Sequence, residues 1–199
     1  MHRSGIDTRA ARGALFLARH GATCSNEAGL RIGRSPEPLS PRGVAQARAL
    51  AAIVARTSVR VVWTSPVVRA RQTAGIVART CGLALETCDD LGEMDFGPLE
   101  GLREDEIAAR FPEEKRAWSG EPTVAPRGCE TIAEVDARVA KALETIGAHE
   151  DDALIVTHLV PLRLVHARAA GLPIPCAPSF YPEHATLYRP TPRGLEAAV

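Results

Sequence analysis

Residues Leu15 to Gly29 read LFLARHGATCSNEAG, and the way this stretch turns from apolar to basic decides the fold. Four residues suited to a buried strand run into Arg19, His20 and Gly21, and small polar residues follow. Two further runs have the same form: VRVVWTS, ending on Thr64 and Ser65, and DALIVTH, ending on Thr157 and His158. Short Val, Ile and Leu runs separated by helical patterning predict an α/β sheet covered by helices. In such sheets ligands collect at the carboxyl ends of the strands, where all three polar pairs fall.

The segments between the strands carry start and stop signals. LSPRGVAQARALAAIVAR has Ser40 as an N-cap with proline in the first turn. SPVVRARQTAGIVARTCG repeats that grammar, with Ser65 as the expected cap, Pro66 at the first position and Gly82 closing the helix. CETIAEVDARVAKALETIG and PLRLVHARAAG predict two more helices, while LALETC and HATLYRP are weaker strand candidates. The first twelve residues lack the apolar stretch of a secretory signal and are read as a flexible leader before a single domain over 13–199. Between about Gly97 and Gly128 the pattern loosens, predicting a lid-like excursion without a second core.

Composition narrows the functional classes. The 199 residues are 45% hydrophobic and 24% charged, as in an ordinary globular protein. The formal net charge of zero removes any overall electrostatic case for nucleic acid or an anionic membrane surface, so an anion must be met by a few placed residues. No window approaches the roughly 18 to 20 apolar residues needed to span a bilayer. Cys24, Cys81, Cys88, Cys129 and Cys176 show no metal-ligand or disulfide spacing and read as reduced thiols, pointing to the cytoplasm. His2, His149, His166 and His184 read as tail, helix-end or core residues; His158 and His166 lack the neighbours that a metal site needs.

The segments ARHGATCSN, PLSPRGVAQARAL, TSPVVRARQTA, LGEMDFGPLEG, RGCETIAEVDARV and IVTHLVPLR, in that order, resemble the histidine phosphatase superfamily, also called the phosphoglycerate mutase-like family. The triplet Arg-His-Gly alone is weak; joined to the other segments it is specific. The resemblance implies a three-layer sandwich with a mostly parallel central sheet flanked by helices, and a phosphoryl-transfer site without metal or cofactor. It makes His20 the nucleophile that forms a phosphohistidine, with Arg19, Arg69 and His158 holding phosphate oxygens. Glu93 is then the proton donor to the leaving alkoxide and the base for water. Asn26, Thr23 and Gly33 are expected on the substrate side, as is the backbone N–H of Leu159.

Residue chemistry agrees with those roles. Histidine attacks through a neutral ring nitrogen, and nearby guanidinium groups disfavour imidazolium. Arginine keeps its charge and offers a planar fork to phosphate oxygens. An alkoxide leaving group needs a proton, which a carboxyl group with a raised pKa supplies. Arg69 is preferred over Arg71 because the family pattern places its arginine three residues before Gln72.

The sequence departs from the pattern at Leu159, where the family commonly has a small residue, and at Ala22 and Ile32, which move away from glycolytic mutases. Hydrolysis of a small phosphorylated metabolite is favoured. A phosphoglycerate mutase-type transfer, disfavoured by Phe96 and the short EMDFGPLEGLRED segment, and a non-catalytic phospho-ligand binding module are the rivals. Selectivity is expected from Arg103, Arg110, Phe111, Arg116 and Trp118. Oligomeric state is left open, a homodimer included.

Overall fold

The protein is described from a computed structural model over residues 13–113, 125–174 and 179–198. The leader, His2, Arg116, Trp118 and Cys176 lie outside the described residues.

Alternation of side chains between the two faces of the sheet produces the layers. β1 (Leu15–Arg19), β2 (Val61–Thr64), β3 (Ala84–Thr87) and β4 (Ala153–Thr157) are parallel, and β5 (Leu187–Thr191) and β6 (Gly194–Ala197) return antiparallel, in the order β3-β2-β4-β1-β5-β6. Successive side chains point to opposite faces. Leu17, Val61 and Ile155 therefore enter one apolar cluster, while Ala18, Val62, Leu154 and Val156 enter the other. The first is completed by helices α5 (Ile132–Gly147) and α6 (Leu159–Ala169), the second by α2 (Pro41–Val54) and α3 (Val68–Cys81). The result is the expected three-layer sandwich. Strand β4 is covered on both faces, and each of its larger side chains contributes about 1.5–3 kcal/mol through burial. The short β6 was not predicted.

Helix ends follow the sequence at two points and depart from it at a third. Ser40 accepts the Gly43 N–H at 3.1 Å as the α2 cap, and Gly82 ends α3 with φ of 66°. Ser65 is not the α3 cap. That helix begins at Val68, its N-cap is Val67 without a side-chain bond, and Ser65 Oγ accepts from the Val67 N–H at 3.2 Å while meeting His158 Nε2 at 2.7 Å. A wholly buried imidazole has no water to turn to, so it claims the hydroxyl that a helix start can do without.

Helices α1 (Cys24–Glu27) and α4 (Glu104–Arg110) are short, and α4 lies in the predicted excursion. Leu99 and Ile107 from that excursion are buried in the same cluster as α5 and α6.

Candidate active site

Register brings the three strand ends together. Arg19 stands opposite Thr157 and Thr64 opposite Val156, so His20, Ser65 and His158 leave the sheet along one edge. Backbone bonds hold the exits: His20 N–H donates to Thr157 O at 3.0 Å and Ser65 N–H to Val156 O at 3.1 Å. Gly21 is required by close approach, because a Cβ there would run into the Gly43 carbonyl at the start of α2. Its N–H donates to Thr73 Oγ1 at 3.0 Å, and Thr73 in turn donates to Arg69 O, locking the His20 loop to the helix that carries Arg69.

His20 has one tautomer available. Nδ1 lies 2.8 Å from the Gly21 carbonyl, which only accepts, so Nδ1 carries the hydrogen and Nε2 keeps its lone pair. Arg69 Nε donates to that Nε2 at 3.1 Å. Burial, then the neighbouring His158, Arg69 and Arg19, hold His20 well below the usual imidazole range. A neutral ring nitrogen with a directed lone pair beside a guanidinium can attack a phosphorus atom. Arg69 is 1% exposed and is held by the carbonyls of Gly33 at 2.6 Å, Ser35 at 3.3 Å and Ile32 at 3.4 Å.

Glu93 is 3% exposed and caps the start of α6. Its Oε2 accepts the Leu159 N–H at 3.1 Å, and its Oε1 accepts those of Val160 at 3.2 Å and Met94 at 2.9 Å. Burial raises its pKa despite the Met94 N–H, Arg69, Arg19 and the Val160 N–H, which pull the other way. The Leu159 N–H expected to bond phosphate is thus engaged by this carboxylate, because a buried acid takes donors from the positive end of a helix. The Leu159 side chain lines the cleft.

Other placements differ in kind. Asn26 lines the cleft and exchanges bonds with Thr23 in a capping box. Thr23 is wholly buried and its hydroxyl caps α1. Gly33 contributes its carbonyl to Arg69, and a side chain there would meet the Met94 carbonyl and the Glu100 carboxylate. The ring of His158 lies 5.0 Å from that of His20, tilted by 58°, and burial followed by Arg69, Arg19 and Arg138 holds it well below the usual range. Two buried atoms at this end lack a protein partner among the described residues, Arg19 Nε and His158 Nδ1. Buried polar groups rarely go unmet unless the site serves a ligand or ordered water.

Four residues escaped the sequence reading. Ser65 is one. His184, read as a core or end residue, donates through Nδ1 to His20 O at 2.8 Å, and burial, chiefly, lowers its pKa to about 4. Arg138 reaches from α5 to the carbonyls of Asp90, Gly92 and Glu93 while paired with Glu130, so it fixes the loop that presents Glu93. Arg163, one turn into α6, lines the cleft. The motifs containing Arg138 and Arg163 were visible, but nothing in them says which loop each side chain meets. The cleft encloses about 580 Å³ between this edge, α4 and the Tyr181 segment. Among the described residues, no group of three or more His, Cys, Asp or Glu is placed to hold a metal, and no helix is long and apolar enough to cross a membrane.

Fold and cleft together have the form that the sequence resemblance implies: a six-stranded α/β sandwich with two histidines and two arginines buried at the strand ends. Residues 15–194 match the histidine phosphatase superfamily (branch 1), and the chain belongs to that family. The bifunctional protein Rv2228c of Mycobacterium tuberculosis is 36% identical over 154 residues, covering 76% of this chain but only 42% of that protein. Phosphoserine phosphatase 1 of Hydrogenobacter thermophilus is 32% identical over 161 residues, covering 79% and 76%. The crystal structure of a putative alpha-ribazole-5'-P phosphatase from Escherichia coli superposes with a TM-score of 0.79 at 27% identity, covering 94% of this chain and 95% of that one.

Proposed function

We propose that this chain is a phosphomonoesterase that hydrolyses a small phosphorylated metabolite through a phosphohistidine on His20. The observation that carries the reading is the tautomer of His20: the Gly21 carbonyl leaves Nε2 as a lone pair, and Arg69 Nε lies against it. Membership of the superfamily and the phosphatase names of two of the relatives described above support it.

In the first step the Nε2 lone pair forms a bond to phosphorus as the bond to the ester oxygen breaks. Arg19, Arg69 and His158 hold the phosphoryl oxygens. Glu93, whose pKa burial raises, gives its proton to the departing alkoxide. In the second step the Glu93 carboxylate takes a proton from water, the water oxygen attacks phosphorus, and the bond to Nε2 breaks. The histidine recovers its lone pair and inorganic phosphate leaves. Most of the acceleration comes from position and from fixed positive charge around the equatorial oxygens. Asn26 at the cleft wall adds a hydrogen-bonding group on the substrate side.

The test is transfer of label from a ³²P-phosphomonoester to the protein in a quenched single turnover. An alkali-stable, acid-labile phosphoprotein is expected from the wild type and none from His20→Ala. Turnover by that variant at the wild-type rate would remove His20 from the chemistry.

A further inference from the structure

Ser65 and His158 follow the neighbouring parallel strands β2 and β4, and both are 0% exposed. Neither side chain meets bulk water, so each of their hydrogens and lone pairs has to find a partner inside the protein or in a ligand. The Ser65 hydroxyl has one hydrogen to give and two lone pairs to offer. One lone pair takes the Val67 N–H at 3.2 Å, and the other contact of the oxygen is His158 Nε2 at 2.7 Å. A hydrogen on Nε2 would point at that oxygen and leave the hydroxyl hydrogen without an acceptor among the described residues. A lone pair on Nε2 receives the hydroxyl hydrogen, and every polar group of the serine side chain is then met.

That bond fixes the far side of the ring. A neutral imidazole with its lone pair on Nε2 carries its hydrogen on Nδ1. Burial, followed by Arg69, Arg19 and Arg138, disfavours the imidazolium that would carry hydrogens on both nitrogens. Nδ1 is buried and lacks a protein partner among the described residues, as does Arg19 Nε at the same end. Two unmet donors suit a ligand that offers only acceptors on that side, as a phosphoryl group does. The opposite tautomer would turn a lone pair toward those oxygens. His20 and His158 thus share a tautomer fixed by opposite devices. An accepting carbonyl holds the hydrogen on His20 Nδ1 and leaves Nε2 to react. A donating hydroxyl holds the lone pair on His158 Nε2 and leaves Nδ1–H to bind.

We infer that Ser65 is a positioning residue whose hydroxyl donates to His158 Nε2, keeping the hydrogen of that ring on Nδ1, where it serves as a neutral donor to a phosphoryl oxygen. Ser65 itself touches neither substrate nor reacting atoms. The donor role rests on the phosphatase reading, whereas the tautomer is a property of the free protein.

A long-range ¹H–¹⁵N spectrum of protein labelled in its histidine rings tests this, because it tells Nδ1–H, Nε2–H and imidazolium apart. Through-bond correlation from each ring to its own backbone assigns the signals without any variant. In the free wild type at neutral pH, His158 is expected as Nδ1–H, and either other pattern would overturn the assignment. Saturating inorganic phosphate should shift the Nδ1 signal of His158 while the tautomer stays the same; an unmoved Nδ1 would overturn the donor role. Ser65→Ala should bring in an Nε2–H population of His158 and lower kcat/KM for p-nitrophenyl phosphate by about tenfold. Ser65→Thr, which keeps the hydroxyl, should restore the wild-type tautomer and most of the rate. A Ser65→Ala spectrum with the wild-type His158 pattern would show that Ser65 does not set the tautomer. The two wild-type spectra decide the assignment even where a substitution at this packed position prevents folding. Absent hydrolysis with the Nδ1–H pattern and the phosphate shift intact would overturn the phosphatase reading and leave the assignment standing.

Discussion

The two ends of the cleft are built by opposite means. At the inner end Arg19, His20, Arg69, Glu93 and His158 are each 5% exposed or less, and hydrogen bonds with the backbone, with one another or with the Ser65 hydroxyl fix every one. At the outer end Tyr181 and Arg163 are partly open to solvent and are held by ring stacking and a single carbonyl bond. Chemistry at phosphorus tolerates little displacement, so its groups are locked before substrate arrives. The side chains at the outer end are left freer.

The largest effects should come from the inner end. His20→Ala is expected to lower kcat for p-nitrophenyl phosphate by about 10³ or more while far-UV circular dichroism stays unchanged. Glu93→Gln should cost about 10² to 10⁴ on an alkyl phosphate. The loss should shrink on p-nitrophenyl phosphate, whose leaving group departs without a proton. An equal loss on both would show that Glu93 acts only as a cap for α6.

Arg69→Gln probes the electrostatic half of the contrast. A guanidinium disfavours imidazolium and favours carboxylate, so Arg69 pushes both His20 and Glu93 downward. Its removal lets both rise, and both limbs of the kcat/KM profile should move to higher pH. An unmoved profile with a lower maximum would reduce Arg69 to a phosphate ligand.

Ser65→Ala is expected to cost about tenfold in kcat/KM and about 1–3 kcal/mol in urea denaturation, because His158 Nε2 loses its partner in a buried setting. The smallest effect belongs to the outer end. Leu159→Ala should change KM by less than about fivefold, since it trims one apolar wall and keeps the N–H that Glu93 uses. A collapse of kcat in that variant would erase the distinction between the two ends.

The inner end was legible to the degree that it sits on strand exits. Arg19, His20 and His158 follow apolar runs directly, and parallel register guarantees that such exits meet. Arg69 and Glu93 needed the resemblance, because a helix arginine and a loop acid look like solvated surface until a neighbour is known. Ser65 misled because its sequence neighbours, Pro66 and a helical run, spell out a cap, while the group that claims it is 93 residues away.

His184 and Tyr181 were illegible for a related reason. They lie before the antiparallel return of β5, where Ala185 N–H donates to Arg19 O at 2.8 Å and so brings the segment against the His20 loop. Local pattern carries no information about that pairing.

What the sequence determined by itself was the sheet, the helices that cover it and the placing of Arg19, His20 and His158 at strand exits, because periodicity and strand exits are local properties of the chain. Tertiary structure alone decided that Arg69 Nε meets His20 Nε2, that Leu159 serves Glu93, and that Ser65 serves His158. Those facts depend on partners tens of residues away, and a hydrogen bond exists only once both ends are in place.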